Sequence, residues 1–120
     1  MKPSSFRMLF HAYVRDRDQL PNGKWKCICC NKEVDKVVAG HYLPAKFYSW
    51  LKFDKDNVHA QCYGCNIKNG SWLQYRVGLI KKIGAKRLKE LEQRGLTKPT
   101  VKRFIWTAAK IEKIKKDLKL

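Results

Sequence analysis

The chain has 120 residues, with 27 Lys and Arg against 10 Asp and Glu, a formal net charge of +17 at pH 7. That length holds one domain, and so large an excess of positive charge favours a polyanionic partner, nucleic acid first, over a surface that is merely well solvated. No apolar run reaches the roughly 18 residues of a membrane span, Met1 to Arg7 lacks the apolar run of a signal peptide, and five cysteines at metal-ligand spacing point to a reducing, cytoplasmic compartment.

Ser4 or Ser5 can cap a first helix over about residues 5–18, with Phe6, Leu9, Phe10, Tyr13 and Val14 on one face. Pro21-Asn22-Gly23 is a turn, and Lys24-Trp25-Lys26 leads as a short strand into Cys27. Asn31-Lys32 makes a tight turn after Cys30. Val34 to Tyr42 reads as a strand pair or a bent strand ending in Gly40-His41, and 44–56 as a loop with the short apolar segment Phe47 to Leu51. Asn57 to Gln61 is a second short strand, and Cys62 to Cys65 turns into a helix.

That helix covers about residues 66–83, with Trp72, Tyr75, Leu79, Ile80 and Ile83 as its apolar positions and Ser71 as a renewed cap after Asn69-Gly70. Gly84 breaks it, and a shorter helix at about 85–94 turns Leu88 and Leu91 inward before Gly95. Thr100 caps a last helix of about twenty residues, roughly 30 Å long. Val101, Phe104, Ile105, Ala108, Ile111, Ile114 or Lys115, and Leu118 form its near-heptad stripe, opposite Lys102, Arg103, Lys110, Lys113, Lys116 and Lys119. Residues 1–66 carry 11 basic and 6 acidic side chains, a net of +5; residues 67–120 carry 16 and 4, a net of +12. The C-terminal half is the stronger electrostatic footprint.

Cys27-x-x-Cys30 and Cys62-x-x-Cys65 supply four thiolates, the ligand set of a closed tetrahedral zinc site. Cys29 is a spare thiol, because adjacent cysteines point apart. Zinc here contributes folding free energy on the order of 10 kcal/mol. The residues between the pairs suggest a second, catalytic centre. His41 ends a strand, and Asn66 follows Cys65 at a helix start, so a strand–loop–strand–helix unit around zinc brings them near one another. A His with an ordinary pKa near about 6.5 suits a general base, and an Asn amide oxygen suits a hard divalent ion such as Mg²⁺.

The ordered string of His41, Asn57, Cys62 and Cys65-Asn66 resembles the HNH (ββα-metal) endonuclease pattern. With Phe6 to Asp18, Gly40-His41-Tyr42, Leu51-x-Phe53-Asp54, Asn57-Val-His59-x-Gln61-Cys62, Asn69-Gly70-Ser71 and Tyr75-Arg76-x-x-Leu79, it is similar to the phage NinG (Rap) recombination protein family over about residues 6–94. The resemblance implies an α+β, mainly helical fold: a small zinc-stabilised, treble-clef-like core with flanking helices and a long C-terminal helix. Residues 1–96 would be the nuclease domain and 97–120 a basic amphipathic helix.

The implied activity is metal-dependent cleavage of branched DNA, such as Holliday junctions and D-loops, in the host cytoplasm. His41 would be the base, Asn66 would bind a catalytic Mg²⁺ or Mn²⁺, and Asn57 would orient the His-bearing loop. Many HNH nucleases have Asp before the catalytic His; here Gly40 stands there, His59 is the substitute ligand, and Asp35 a remoter donor. An imidazole ligand shifts preference toward Mn²⁺ or Zn²⁺.

Lys68, Arg76, Lys81, Lys82, Lys102, Arg103 and Lys110 are the expected phosphate contacts, Arg76 foremost because a guanidinium grips phosphate bidentately. Trp50 is the candidate for base stacking, and His11 reads as a surface or packing residue. The last helix packs back on the domain or pairs with a second copy as a homodimer. The competing functions are a non-catalytic zinc-finger DNA-binding protein and a sequence-specific HNH nuclease of the homing or restriction type.

Overall fold

The computed structural model describes residues 1–67, 72–99 and 103–120. Helix α1 spans Pro3–Asp18 and buries Phe6, Phe10 and Val14. Its N-terminus differs from expectation: Lys2 takes the cap position without a side-chain bond, and Ser4 and Ser5 lie inside the helix. Proline explains this, since its fixed φ and missing N–H suit the first helical position. Gly23 turns the chain with φ 83° and donates to Leu20 O.

Strands β1 (Trp25–Lys26) and β2 (Glu33–Val34) form a short antiparallel hairpin, pairing Trp25 with Val34 and Lys26 with Glu33. Strands β3 (Val38–His41) and β4 (Val58–Gln61) form a second, with Gly40 opposite His59 and His41 opposite Val58. The expected strand over Val34 to Tyr42 is thus divided between two sheets. A 3-10 turn at Ser49–Leu51 interrupts the loop between β3 and β4.

Helix α2 (Tyr63–Ile67) leaves β4 directly, and α3 (Trp72–Leu96) follows. The expected Asn69-Gly70 interruption and Ser71 cap lie outside the described residues. Inside α3 the backbone breaks at Gly84, with φ 88° and ψ 158°. That region is open essentially to glycine alone. Arg76 consequently meets Glu92 from the other half of α3, at 3.1 Å.

Helix α4 runs only over Ala108–Leu118, with the Thr107 side chain accepting from Lys110 N. The start expected at Thr100 lies outside the described residues, but residues 103–107 are not helical. Trp106 gives the reason: its indole N–H donates to Ser49 O at 2.8 Å and its ring meets Phe53 edge-on, which anchors an extended segment.

Two apolar clusters fill the interior, and the β3–β4 hairpin contributes Ala39 and Val58 to the first. One joins Phe6, Phe10 and Val14 of α1 with Ala39, Phe53, Val58 and Ile111 of α4, and Ile114 and Leu118 pack against it. Ile111, Ile114 and Leu118 of the last helix are therefore packed within the chain, while Ile105 is exposed. The second joins Ile28 and Tyr42 with Leu51 and with Tyr75, Leu79, Leu88 and Leu91 of α3. Trp72 and Ile80, expected inside, are exposed. Among the described residues no helix is long and apolar enough to cross a membrane.

Candidate metal centre and hydrolytic site

Two turns build the metal centre. In the first, Asn31 adopts left-handed backbone (φ 67°) and donates its N–H to Cys27 O at 3.0 Å. The second is the step from β4 into α2. Together they bring the sulfurs of Cys27, Cys30, Cys62 and Cys65 within 4.8 Å of one another. A tetrahedral ion with Zn–S bonds of about 2.3 Å holds its sulfurs about 3.8 Å apart. Cys30 and Cys62 Sγ are 3.9 Å apart. The peptide N–H groups of Cys62 and Cys65 donate to the sulfurs of Cys27 and Cys62 at 3.3 and 3.4 Å, as bound thiolates require. The donor chemistry and spacing fit a structural Zn²⁺. Among the described residues no other set of three His, Cys, Asp or Glu side chains could hold an ion.

Cys29 stands outside this set, and Gln61 Nε2 donates to its sulfur at 3.1 Å. Helix α3 lies tight against the first turn: a Cβ on Gly78 would come 1.9 Å from Ile28 O. Only glycine tolerates that approach.

The pleat of the β3–β4 hairpin sorts its residues between two faces. Ala39, His41, Val58 and Ala60 share one, toward α1; Gly40, His59 and Gln61 share the other, toward α3. On the α1 side, His41 Nε2 lies 3.0 Å from Lys52 O. A carbonyl only accepts, so Nε2 carries the proton and Nδ1 the lone pair. The His11 ring stands 6.3 Å away, edge to face. Burial pushes the His41 pKa down, and the charges of Lys52 and Arg7 add to this against the Lys52 carbonyl bond. His11 is lowered to about 4 by burial, then by His41, Arg7, Arg15 and Lys52. The site is a half-buried neutral imidazole pair among cations.

On the α3 side, His59 is buried, with Nε2 donating to Asp56 O at 2.8 Å and Nδ1 accepting from Arg17 Nη2 at 3.1 Å. Burial, Lys82 and Arg17 lower its pKa to about 3. The expectation that His59 replaces an acidic ion ligand is corrected on two grounds. It faces away from His41, and both its nitrogens are engaged, one by a cation. The same guanidinium binds Asp18 and Val58 O, while Lys82 and Ala60 N also bind the Asp18 carboxylate. Burial raises the Asp18 pKa, but Arg17 and Lys82 outweigh it and bring it to about 2.

Gly40 shows why no acid precedes His41. A Cβ there would lie 1.9 Å from Gln61 Oε1, and the Tyr75 hydroxyl donates to Gly40 O at 2.6 Å. Gln61 fills the space. Asn57 is fully buried and spans the loop after His41: Oδ1 accepts from Leu43 N, and Nδ2 donates to Leu43 O and Leu51 O. Asn66 is exposed on α2. β3 puts His41 at the end of the hairpin remote from Gln61, about 10 Å along the strand from Val38.

Of the expected phosphate contacts, Lys68 and Lys102 lie outside the described residues. Arg76 is bonded to Glu92, and Lys82 to Asp18. Lys81 is exposed, beside Lys82 on a groove of about 420 Å³ that Arg17 and Lys26 also line. Arg103 is exposed; Lys110 sits 4.2 Å over the Phe104 ring and donates to Ile105 O. Trp50 is half-buried, with its indole N–H bonded to Arg94 O at 2.9 Å. Sequence reasoning missed Arg7 and Lys52 and read His11 only as a surface or packing residue; all three meet His41 through tertiary packing. A helical wheel would have put Arg7, His11 and Arg15 on one face of α1, the one signal available.

Residues 4–119 match the family described as bacteriophage lambda NinG protein. The Protein ninG of Salmonella phage P22 is 34% identical over 125 residues, covering 98% of this chain and 56% of the relative. That of Escherichia phage lambda is 32% identical with the same coverage, and that of Escherichia phage 933W is 36% identical over 100 residues, 77% of this chain and 47% of the relative. The chain thus spans about half the length of the curated relatives it matches. No solved structure matches it. The chain belongs to the NinG family.

Proposed function

We propose, with that membership as premise, that the chain is an HNH-type (ββα-metal) endonuclease that hydrolyses phosphodiester bonds in branched DNA, such as Holliday junctions and D-loops. Phage recombination in the host cytoplasm is the process this activity serves. One observation carries the reading: His41 has Nε2 pinned to the Lys52 carbonyl, a lone pair on Nδ1, and a depressed pKa. Its imidazole is neutral at pH 7 and can take a proton from water. The water oxygen then bonds to phosphorus as one ester P–O bond breaks, and the leaving oxygen gains a proton. Arg7 and Lys52 offer positive charge for the phosphate as it gains negative charge. Zn²⁺ on the four cysteines is closed to solvent ligands and serves the fold.

A catalytic Mg²⁺ or Mn²⁺ belongs to the same family expectation, but the described residues do not assemble its site. Asn66 offers one amide oxygen, Gly40 brings no carboxylate, and His59 is committed to Arg17 and Asp56. Mg²⁺ ordinarily takes one or two carboxylates beside substrate phosphates. The chain's own chemistry is therefore that of His41 and its surrounding cations.

The test is cleavage of a four-way junction and of its linear arms, with Mg²⁺ or Mn²⁺. The wild-type chain cuts the junction; equal cutting by His41→Ala would sink the base assignment. The occupation of the Gly40 position by Gln61 favours a second reading, a non-catalytic zinc-finger DNA-binding protein. Tight junction binding without cleavage under any ion supports it.

A further inference from the structure

The loop that Asn57 fastens at Leu43 and Leu51 carries a second surface. Phe47 is 68% exposed at its tip. Lys46 Nζ lies 5.6 Å from the centre of that ring. Phe47 opens onto a cleft of about 370 Å³ with Trp50 and Phe104 in its walls and Lys46, Lys98 and Arg103 around it. Among the described residues no acidic side chain lines this cleft. Trp50 is fixed through Arg94 O, and Phe104 is held edge-on by Trp106. Both wall rings thus have partners within the chain, and the tip ring is the part left uncovered.

Exposed π-faces interleaved with cations are what an unpaired nucleotide requires. The base stacks on a ring whatever its identity, and the flanking phosphates meet the cations. Within a continuous duplex both faces of each base are covered by its stacked neighbours. We propose that this cleft binds an unpaired nucleotide of DNA, with Phe47 as the stacking platform and Lys46, Lys98 and Arg103 as phosphate contacts. The assignment rests on the reading of the chain as a DNA-binding protein, but not on cleavage. It would let the chain distinguish a junction with an open base from continuous duplex.

The experiment is fluorescence anisotropy of the zinc-loaded full chain with two labelled DNAs: a duplex with a six-nucleotide single-stranded flap, and the same duplex blunt-ended. Phe47→Leu keeps bulk but removes the π-face, and Phe47 is too exposed to be needed for folding. The flap affinity should fall about five-fold or more, by the usual worth of one stacked base, with blunt-duplex affinity within about two-fold. Phe47→Trp should restore it. Equal losses on both DNAs, or no loss on the flap, would overturn the proposal. Since cleavage is not read, an inactive wild-type chain that still prefers the flap through Phe47 refutes the nuclease reading alone.

Discussion

The two histidines of the β3–β4 hairpin are one strand apart and belong to different chemistries. His59 on the α3 face has both nitrogens bonded and a cation against one of them. His41 on the α1 face has one nitrogen bonded to a carbonyl and the other carrying its lone pair beside His11. Burial lowers both pKa values, so protonation alone does not distinguish them. The distinction is the number of ring nitrogens already spent. A fully spent histidine holds structure, and a half-spent one among cations can do work on an anion.

The largest expected effect tests what supports both faces. Removing zinc with a chelator, or making Cys62→Ser, should cost on the order of 10 kcal/mol and unfold the α3 side. Circular dichroism with a thiol count should show lost helix and four freed thiols per ion. A chain that stays folded without metal would break the comparison, because the hairpin would then need no zinc frame.

His41→Ala should lower junction cleavage by about 10²–10⁴-fold, the usual weight of a general base, with the thermal midpoint nearly unchanged. His59→Ala should show the opposite pattern. It takes one acceptor from Arg17, leaves the Asp56 carbonyl without its imidazole donor and opens a cavity, for about 2–4 kcal/mol of lost stability in denaturant titration. If both variants behaved alike, the two faces would not divide structure from chemistry.

Gly78→Ala and Gly40→Ala refine the α3 face. Each new Cβ would meet an oxygen 1.9 Å away. For Gly78 that oxygen is the Ile28 carbonyl, part of the zinc turn, and the expected loss is about 1–3 kcal/mol. For Gly40 it is the end of the Gln61 side chain, which can swing aside, and the loss should be smaller. Calorimetry on the pair gives the order.

The smallest effect is the slope of stability with pH. His11, His41 and His59 have folded pKa values below the unfolded value, so the unfolded chain binds more protons below about 6.5. Stability should therefore fall as pH drops from about 6.5 toward 3. Asp18, depressed to about 2, adds a further loss below its unfolded value of 3.8. His59→Gln should flatten the upper window in pH-dependent urea titrations.

Much of this was legible in the chain, for reasons that are local. Two C-x-x-C pairs announce their own geometry, because two intervening residues suffice to aim both sulfurs at one point. Gly84 was readable as a break because backbone freedom is written into the residue, whereas Gly95, expected as a stop, lies inside α3, where its missing Cβ leaves room for Leu43. The length of α4 was not readable. Its upstream residues fit a heptad, but Trp106 finds Ser49 O, a partner 57 residues away, and the segment extends to reach it. His59 failed as a ligand for the same kind of reason: its neighbour Arg17 is 42 residues distant. The place of His41 at a strand end was readable, but the Lys52 carbonyl that selects its tautomer had no sequence signal at all.

The Asn57 side chain has a consequence for how the 43–51 segment can vary. By bonding Leu43 and Leu51 it closes that stretch into a ring whose ends are fixed from beneath. Lengthening such a closed loop is cheap, about 0.6 kcal/mol for each doubling of its length. Residues inserted near Phe47 would thus extend the reach of the tip ring while the seating of His41 stays as it is. The span between the two surfaces is an adjustable dimension of this fold, set by loop length and independent of the hairpin that carries the imidazole.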